Sequence, residues 1–199
     1  YFRGVLAREG TAAVGTAAAV GVDDDQEVKD LRLNAFFEAR EDEQYKVAKV
    51  VEKVYDCFVI RSAELYLNKA EAEAMLDKAE AKQTIKTLLN NRFEGGIPDV
   101  DGLNEKDLIS FIRDERRREL CFEAHRWFDL RRYAVSSKYP EKKSIRHETY
   151  DKNGVLEGDY VLKPYGEDPA WVLPIPGYEI VYNQGNLVDN PQRVERKLE

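Results

Sequence analysis

The feature that most constrains this chain is one segment in which charged residues share a helical period with apolar ones. From about Glu105 to Tyr133 the apolar residues recur every three or four positions, which predicts one long amphipathic helix. Glu115, Glu119 and Glu123 fall on or beside the same stripe at intervals of four, so their carboxylates repel one another unless cations answer them. The fold must therefore bring cations to a partly buried acidic face.

The same segment is rich in arginine, which supplies candidate cations. Guanidinium groups match carboxylates in a planar fork, so partly buried arginine–carboxylate pairs are expected to lock this helix against its neighbours. The arginines are Arg113, Arg116, Arg117, Arg118, Arg126, Arg131 and Arg132.

Two further helices are predicted upstream, as an antiparallel hairpin. The first begins after Asp56 as N-cap and runs to about Met75, with apolar residues at mixed spacings of three and four. The second follows Asp77, which has the Asp-x-x-Glu spacing of a capping box with Glu80. A link of only a residue or two favours a hairpin like those of tetratricopeptide stacks, which needs a neighbour to bury both faces.

The two ends of the chain differ from this helical centre. Residues 1 to about 50 show little period and are expected to form loops with one or two short elements. Residues 145–162 predict a β-hairpin around Asn153-Gly154, a dipeptide suited to a type I′ turn. Prolines in the stretch from Trp171 to Pro176 predict an extended apolar strap. The fold class is therefore mainly α, with a β-hairpin and extended loops near the C-terminus.

Charge, hydropathy and cysteine content exclude several classes of function. A formal net charge of −7 over 199 residues disfavours nucleic acid as a partner, and no run approaches the roughly 20 apolar residues of a membrane span. Cys57 and Cys121 lie in apolar helical patterns without a C-x-x-C pair, so both are expected to be small core residues, although a disulfide between them remains open. The start at Tyr1 without methionine suggests a processed product or a fragment.

Three segments resemble the SusD/RagB family, in the family's order. They are Ile60 to Ala72, which matches an Arg-x-x-Glu-x-Tyr-Leu-x-x-Ala-Glu-Ala helix, then Glu115 to Arg132, close to the family's hallmark helix, and then Leu173-Pro174-Ile175-Pro176 with Glu179, Asn183 and Asn190-Pro191. The resemblance spans about residues 56 to 191. It departs at Ala124, where the family usually has glycine, and at the closing residues 189–193.

The resemblance implies a fold, a location and partners. The fold would be an α-α superhelix of tetratricopeptide-like hairpins, with residues 1–199 forming the C-terminal part of the family's domain and the N-terminal half absent. Within it, 1–55 would be a loop-rich entry segment, 56–134 the helical core and 135–199 the β-hairpin and strap. Family members are lipoproteins, anchored by a lipidated cysteine that this chain lacks, on the outer face of the outer membrane. There they hand oligosaccharides or polysaccharides to a SusC-like TonB-dependent transporter.

Catalytic and metal-binding alternatives are weaker. His125 lies near Glu119 and Glu123, but the chain has two histidines and no spacing that assembles a first shell, so neither a metal nor another cofactor is expected. Glu115, Glu119 and Glu123 could suggest a glycosidase. Ion pairing with arginine, however, would keep them charged and unfit as general acids. The sequence therefore predicts a protein that is not an enzyme.

Aromatic residues in predicted loops are the candidate ligand contacts, because sugars stack their apolar faces on flat rings. These are Tyr139, Tyr165 and Trp171, although the apolar strap also favours a core position for Trp171; Trp127 is expected in the core. The expected function is non-enzymatic glycan binding in an uptake complex. The alternatives are a peptide-binding RagB-like subunit and a helical scaffold that docks a protein partner.

Overall fold

The computed structural model describes residues 28–40, 45–49 and 60–191, and these residues are mainly helical. The expected helix start at Asp56, and Cys57, lie outside the described residues. The helices are α1 (Arg32–Phe36), α2 (Ser62–Met75), α3 (Glu80–Leu89), α4 (Glu105–Glu119), α5 (His125–Ala134) and α6 (Gly177–Tyr182). The strands are β1 (Lys29–Asp30), β2 (Phe37–Ala39), β3 (Tyr45–Val47), β4 (Phe93–Glu94), β5 (Ile145–Tyr150) and β6 (Leu156–Leu162).

The predicted helical hairpin is present as α2 and α3, but its turn is built differently. Asp77 has a φ of 56°, and its amide donates to the carbonyl of Ala74 while the amide of Lys78 donates to the carbonyl of Glu73. These two bonds are a Schellman motif, which ends a helix. Asp77 therefore closes α2. The predicted capping box with Glu80 is wrong: the N-cap of α3 is Ala79, without a side-chain bond.

The predicted long third helix is interrupted. Asn104 caps α4 as its spacing with Asp107 indicated, since its side chain accepts from the amide of Asp107 at 3.0 Å. The helix ends at Glu119, and a turn containing Phe122 and Ala124, each with a φ of 62°, separates it from α5. Helical periodicity continues through this turn, so the sequence pattern alone could not reveal the break.

The β-hairpin lies where the sequence predicted it, with a different turn. β5 pairs antiparallel with β6 from Ile145 opposite Leu162 onward. The amide of Gly154 donates to the carbonyl of Asp151, and Gly154 alone of the central residues has a positive φ, 80°. This is a type I turn followed by a left-handed glycine, the usual three-residue hairpin loop, rather than a type I′ turn.

Contacts divide the chain into two compact units at His125, and each has its own core. In the first unit α2 packs against α3 and α4. Its buried apolar side chains are Ala63, Leu67, Ala70, Ala74, Ala81, Ile85, Leu88, Leu89, Val100, Leu108, Ile109, Ile112 and Leu120. In the second unit the buried apolar side chains are Leu130, Tyr133, Ala134, Ala170 and Trp171.

The strap contains more structure than the sequence indicated. Pro169–Trp171 form a 3-10 turn, in which Asp168 accepts a hydrogen bond from the amide of Ala170, and Gly177–Tyr182 form α6. Only the stretch between them, Val172 to Pro176, lies outside helical structure as predicted. Across the described residues, none of the helices has both the length and the apolar character that a bilayer crossing requires.

Candidate functional site

A buried carboxylate at the end of α4 is the centre of the first unit's charge network. The Glu119 side chain is fully buried, with a relative exposure of 0%. Arg92 donates to both carboxylate oxygens at 2.8 and 2.9 Å, and Arg61 donates to Oε1 at 2.6 Å. Arg32 adds a longer contact of 3.3 Å. Three guanidinium groups therefore surround one glutamate.

Glu115 and Asp30 extend the network to the start of the described chain. Arg32 donates a hydrogen bond to Glu115 at 2.6 Å. Its Nε and Nη2 donate to the two carboxylate oxygens of Asp30 at 2.9 and 2.7 Å. Arg118 donates to the second oxygen of Glu115 at 2.8 and 3.0 Å. Arg32 is thus a buried bridge between Asp30 and α4.

The third glutamate of the predicted acidic face is also paired. Glu123 accepts from Arg61 at 2.9 Å and from Lys49. Lys49 also donates to the main-chain carbonyls of Glu119 at 2.6 Å and Cys121 at 3.1 Å. These bonds satisfy the carbonyls that the end of α4 leaves without helical partners. Each of the three glutamates is therefore paired with arginine or lysine side chains, and none lies unpaired in an open cleft.

The network fixes the ionisation of its members. Burial alone would raise the pKa of Glu119, but hydrogen bonds from Arg92 and Arg61 outweigh it and lower the pKa to about 2. The pKa of Glu123 is likewise lowered by Arg61 and Lys49 against burial. Burial would lower the pKa of Arg32, yet Glu115 and Asp30 raise it above its ordinary value. A carboxylate held ionised in this way has no proton to donate to a leaving group.

A second set of ion pairs locks α2 against α4, as the sequence predicted for arginines of this helix. Arg116 donates to Asn68 at 2.7 Å and to Glu64 at 3.2 Å, and Arg113 contacts Glu71 at 3.4 Å. His125 lies 3.7 Å from Glu64 through Nδ1. In the part of the chain that the structure describes, no group of three His, Cys, Asp or Glu side chains is arranged to hold a metal ion.

Sequence reasoning missed the cations that matter most to Glu119. The arginines within the helix were the expected partners, whereas Arg32, Arg61 and Arg92 come from three separate segments. Only Arg61 carried a signal, because it belongs to the Ile60 to Ala72 segment that resembles the family. Tertiary pairing between distant segments leaves no periodic trace.

The second unit holds an aromatic–arginine cluster made of Trp127, Arg131, Tyr165 and Trp171. The rings of Trp127 and Trp171 lie 4.5 Å apart between centroids, and Tyr165 meets Trp171 edge-on at 5.9 Å. Trp171 is 2% exposed, and its indole donates to the carbonyl of Lys163 at 2.7 Å. Trp171 is therefore the buried ring against which Trp127 and Tyr165 pack.

The other members of this cluster are partly open to solvent. Trp127, Arg131 and Tyr165 are half-buried, and the guanidinium carbon of Arg131 lies 5.3 Å from the centre of the Tyr165 ring. Trp127 and Arg131 are one helical turn apart on α5, so their side chains share a face. The structure thus brings the predicted residues Tyr165 and Trp171 together and adds Trp127 and Arg131, which the sequence analysis did not select as ligand contacts.

Tyr139, the third predicted ligand residue, lies in the segment between α5 and β5. It is half-buried, and its φ of 47° is left-handed, which is uncommon for an aromatic residue. Its role in ligand binding stays a prediction, as do those of Tyr165 and Trp171.

Comparisons with known proteins agree with one another. The model of the SusD family matches residues 17–192. SusD-like protein P2 of Formosa agariphila is 28% identical over 142 residues, which are 66% of this chain and 25% of that protein. SusD-like protein P38 of the same organism is 40% identical over 79 residues, which are 36% of this chain and 16% of that protein.

A crystal structure of a SusD-like protein from Bacteroides fragilis is also similar. It is 27% identical, with a TM-score of 0.44, over 67% of this chain and 25% of that one. The chain thus spans about a quarter of the length of P2 and of this structure.

Proposed function

The chain belongs to the SusD family, and from that premise we propose that it is part of a non-enzymatic glycan-binding subunit of an outer-membrane nutrient-uptake complex. Proteins of this family are typically carbohydrate-binding, and they are known as cell-surface lipoproteins. The proposed subunit is held by a lipid anchor at the outer face of the outer membrane. It delivers oligosaccharides to a SusC-like TonB-dependent transporter.

The observation that carries the proposal is the family match over residues 17–192. The charge network adds physical support for binding without catalysis. A glycosidase of the usual kind needs one protonated carboxylic acid near neutral pH, whereas Glu119 has a pKa of about 2 and is fully buried. Burial also raises the pKa of the Cys121 thiol, which keeps it protonated and a poor nucleophile.

The test is calorimetry of the protein with a panel of oligosaccharides, combined with chromatography of the same mixtures after long incubation. We expect reversible binding of at least one glycan and no shortening of any. Depolymerisation of any oligosaccharide by the protein would contradict the proposal, because a binding subunit leaves its ligand intact.

A second function, a helical scaffold for a peptide or protein partner, is favoured by one observation. The outer side of α2 exposes Leu65 (59%) and Tyr66 (41%), although its inner side is fully packed. A glycan panel without any binding, together with recovery of a SusC-like barrel in a pull-down, would support this alternative instead.

A further inference from the structure

Arg131 differs from five other arginines of α4 and α5, because it has no acidic partner among the residues that the structure describes. Arg113, Arg116, Arg117, Arg118 and Arg132 all lie against carboxylates, of Glu71, Glu64, Asp114, Glu115 and Asp129 respectively. Within the described residues the Arg131 guanidinium has no hydrogen bond or ion pair, and it lies over Tyr165 instead. A half-buried cation without an anion is a candidate ligand contact.

The surroundings of Arg131 place this cation beside ring surfaces. It lies 5.3 Å from the Tyr165 ring centre, within the range of a cation–π contact. A planar guanidinium over a ring keeps N–H donors available around its edge for a carboxylate or sulfate group. Trp127, on the same face of α5, and Tyr165 are half-buried and offer ring surface next to it.

Acidic side chains near the cluster are otherwise engaged or directed to solvent. Asp168 accepts hydrogen bonds from the amides of Lys163 and Ala170, which fix its two oxygens on the main chain. Glu167 is exposed to solvent. The chain's charge of −7 repels anions at long range, but screening over roughly 8 Å at physiological salt leaves a local contact with Arg131 effective.

We propose that the aromatic–arginine cluster binds an acidic sugar, with Arg131 holding its carboxylate or sulfate group and the rings of Tyr165 and Trp127 stacking on its apolar face. This inference rests on the proposed function and narrows it to glycans that contain uronic acid or sulfated residues. Charge-assisted hydrogen bonds are shorter and stronger than neutral ones, so the cluster discriminates in favour of an anion.

The test compares three probes of equal length by calorimetry and saturation-transfer difference NMR. They are tetragalacturonic acid, a sulfated galactan tetrasaccharide and neutral cellotetraose. With the unaltered chain we expect one or both acidic probes to bind more tightly than the neutral one. The preferred acid identifies whether carboxylate or sulfate is the natural group.

Variants connect that preference to Arg131. Arg131→Gln is expected to weaken acidic-probe binding at least about ten-fold, and Arg131→Lys by less, because it keeps the charge without the fork. Arg117→Gln, which removes the same charge from α4, is the matched control and should leave binding unchanged. Circular dichroism melting of each variant verifies that the fold is retained.

The outcomes separate this inference from the proposed function. Equal binding of neutral and acidic probes, or acidic binding that Arg131→Gln leaves unchanged, overturns the inference while glycan binding stands. The absence of binding to all three probes and to the wider oligosaccharide panel overturns both.

Discussion

Glu119 illustrates how an ionised side chain is tolerated inside a protein. An uncompensated buried charge is strongly destabilising, so a carboxylate with 0% exposure needs both charge and hydrogen bonds. Arg92 and Arg61 supply them through short bonds to both oxygens. Because these arginines are themselves partly buried, the loss of the acid would leave several cations facing one another.

Removing this acid should destabilise the first unit. Glu119→Gln keeps the shape but leaves Arg32, Arg61 and Arg92 without their shared anion, and breaking a buried ion pair from one side costs about 3–5 kcal/mol. Urea unfolding should show a decrease of that order in the free energy of unfolding. The control, Glu157→Gln at an exposed site on β6, should change it by less than about 0.5 kcal/mol. Equal stability of the two variants would contradict the buried network.

Ala124 is strained by its backbone rather than by its contacts. With a φ of 62° it occupies the left-handed region, where a Cβ costs roughly 1–2 kcal/mol. Ala124→Gly should therefore raise the free energy of unfolding by about 1 kcal/mol, as glycine adopts this conformation without a steric penalty.

The control for that change is the same substitution in an ordinary helical position. Ala72 lies exposed in the interior of α2, so Ala72→Gly should lower the melting temperature, by the equivalent of about 1 kcal/mol. Differential scanning calorimetry should show shifts of opposite sign for the two variants. Shifts of the same sign would argue against a left-handed Ala124.

Among the elements, the turn of the β5–β6 hairpin depends on one glycine. Gly154 has a φ of 80° with open space around it, so Gly154→Ala is strained by backbone conformation alone. The expected cost is about 1 kcal/mol or more, seen as faster hydrogen exchange of the β5 and β6 amides. Gly177→Ala is the control, since Gly177 has equally open space and no left-handed φ. In this variant the hydrogen exchange of the β5 and β6 amides should be unchanged. Similar exchange in both variants would contradict the turn assignment.

Helices and strands were predictable where a local pattern determines them. The α2–α3 hairpin, the cap at Asn104 and the pairing of β5 with β6 follow from periodicity and turn residues, and the structure confirms them. The break between α4 and α5 did not follow, because the pattern through Phe122 and Ala124 still favours helix. Tertiary bonds from Lys49 to the carbonyl of Glu119 and from Arg61 to Glu123 in the turn stabilise that break. Their sequence separation from α4 hides them from any local analysis.

The candidate ligand residues, like the helices and strands, were only partly predictable from the sequence. Tyr165 and Trp171 could be selected as aromatics near loops, and the core position that the apolar strap favoured for Trp171 is confirmed by its 2% exposure. The importance of Arg131 depends on its having no carboxylate partner among the described residues, which only the three-dimensional structure reveals. Composition and spacing could not distinguish it from the six other arginines of the same segment.

For the molecule as a whole, the network predicts a defined response to acid. The pKa of Glu119 is lowered from an ordinary 4.5 to about 2, so its contribution is complete above about pH 4.5 and is lost as the pH falls towards 2. A difference of that size corresponds to about 3 kcal/mol. Urea unfolding between pH 5 and 2 should show this decrease in the free energy of unfolding. The decrease should be smaller in Glu119→Gln. Parallel curves for the two proteins would exclude Glu119 as the source.

The positions of the network's members along the chain also have a consequence for how the protein is made. Arg32, Lys49, Arg61 and Arg92 all precede the glutamates that they bind. Because a ribosome releases the N-terminal part first, these cations leave the exit tunnel before the glutamates do. The ion pairs of the network can therefore form only after Glu115, Glu119 and Glu123 have emerged, late in the synthesis of the first unit.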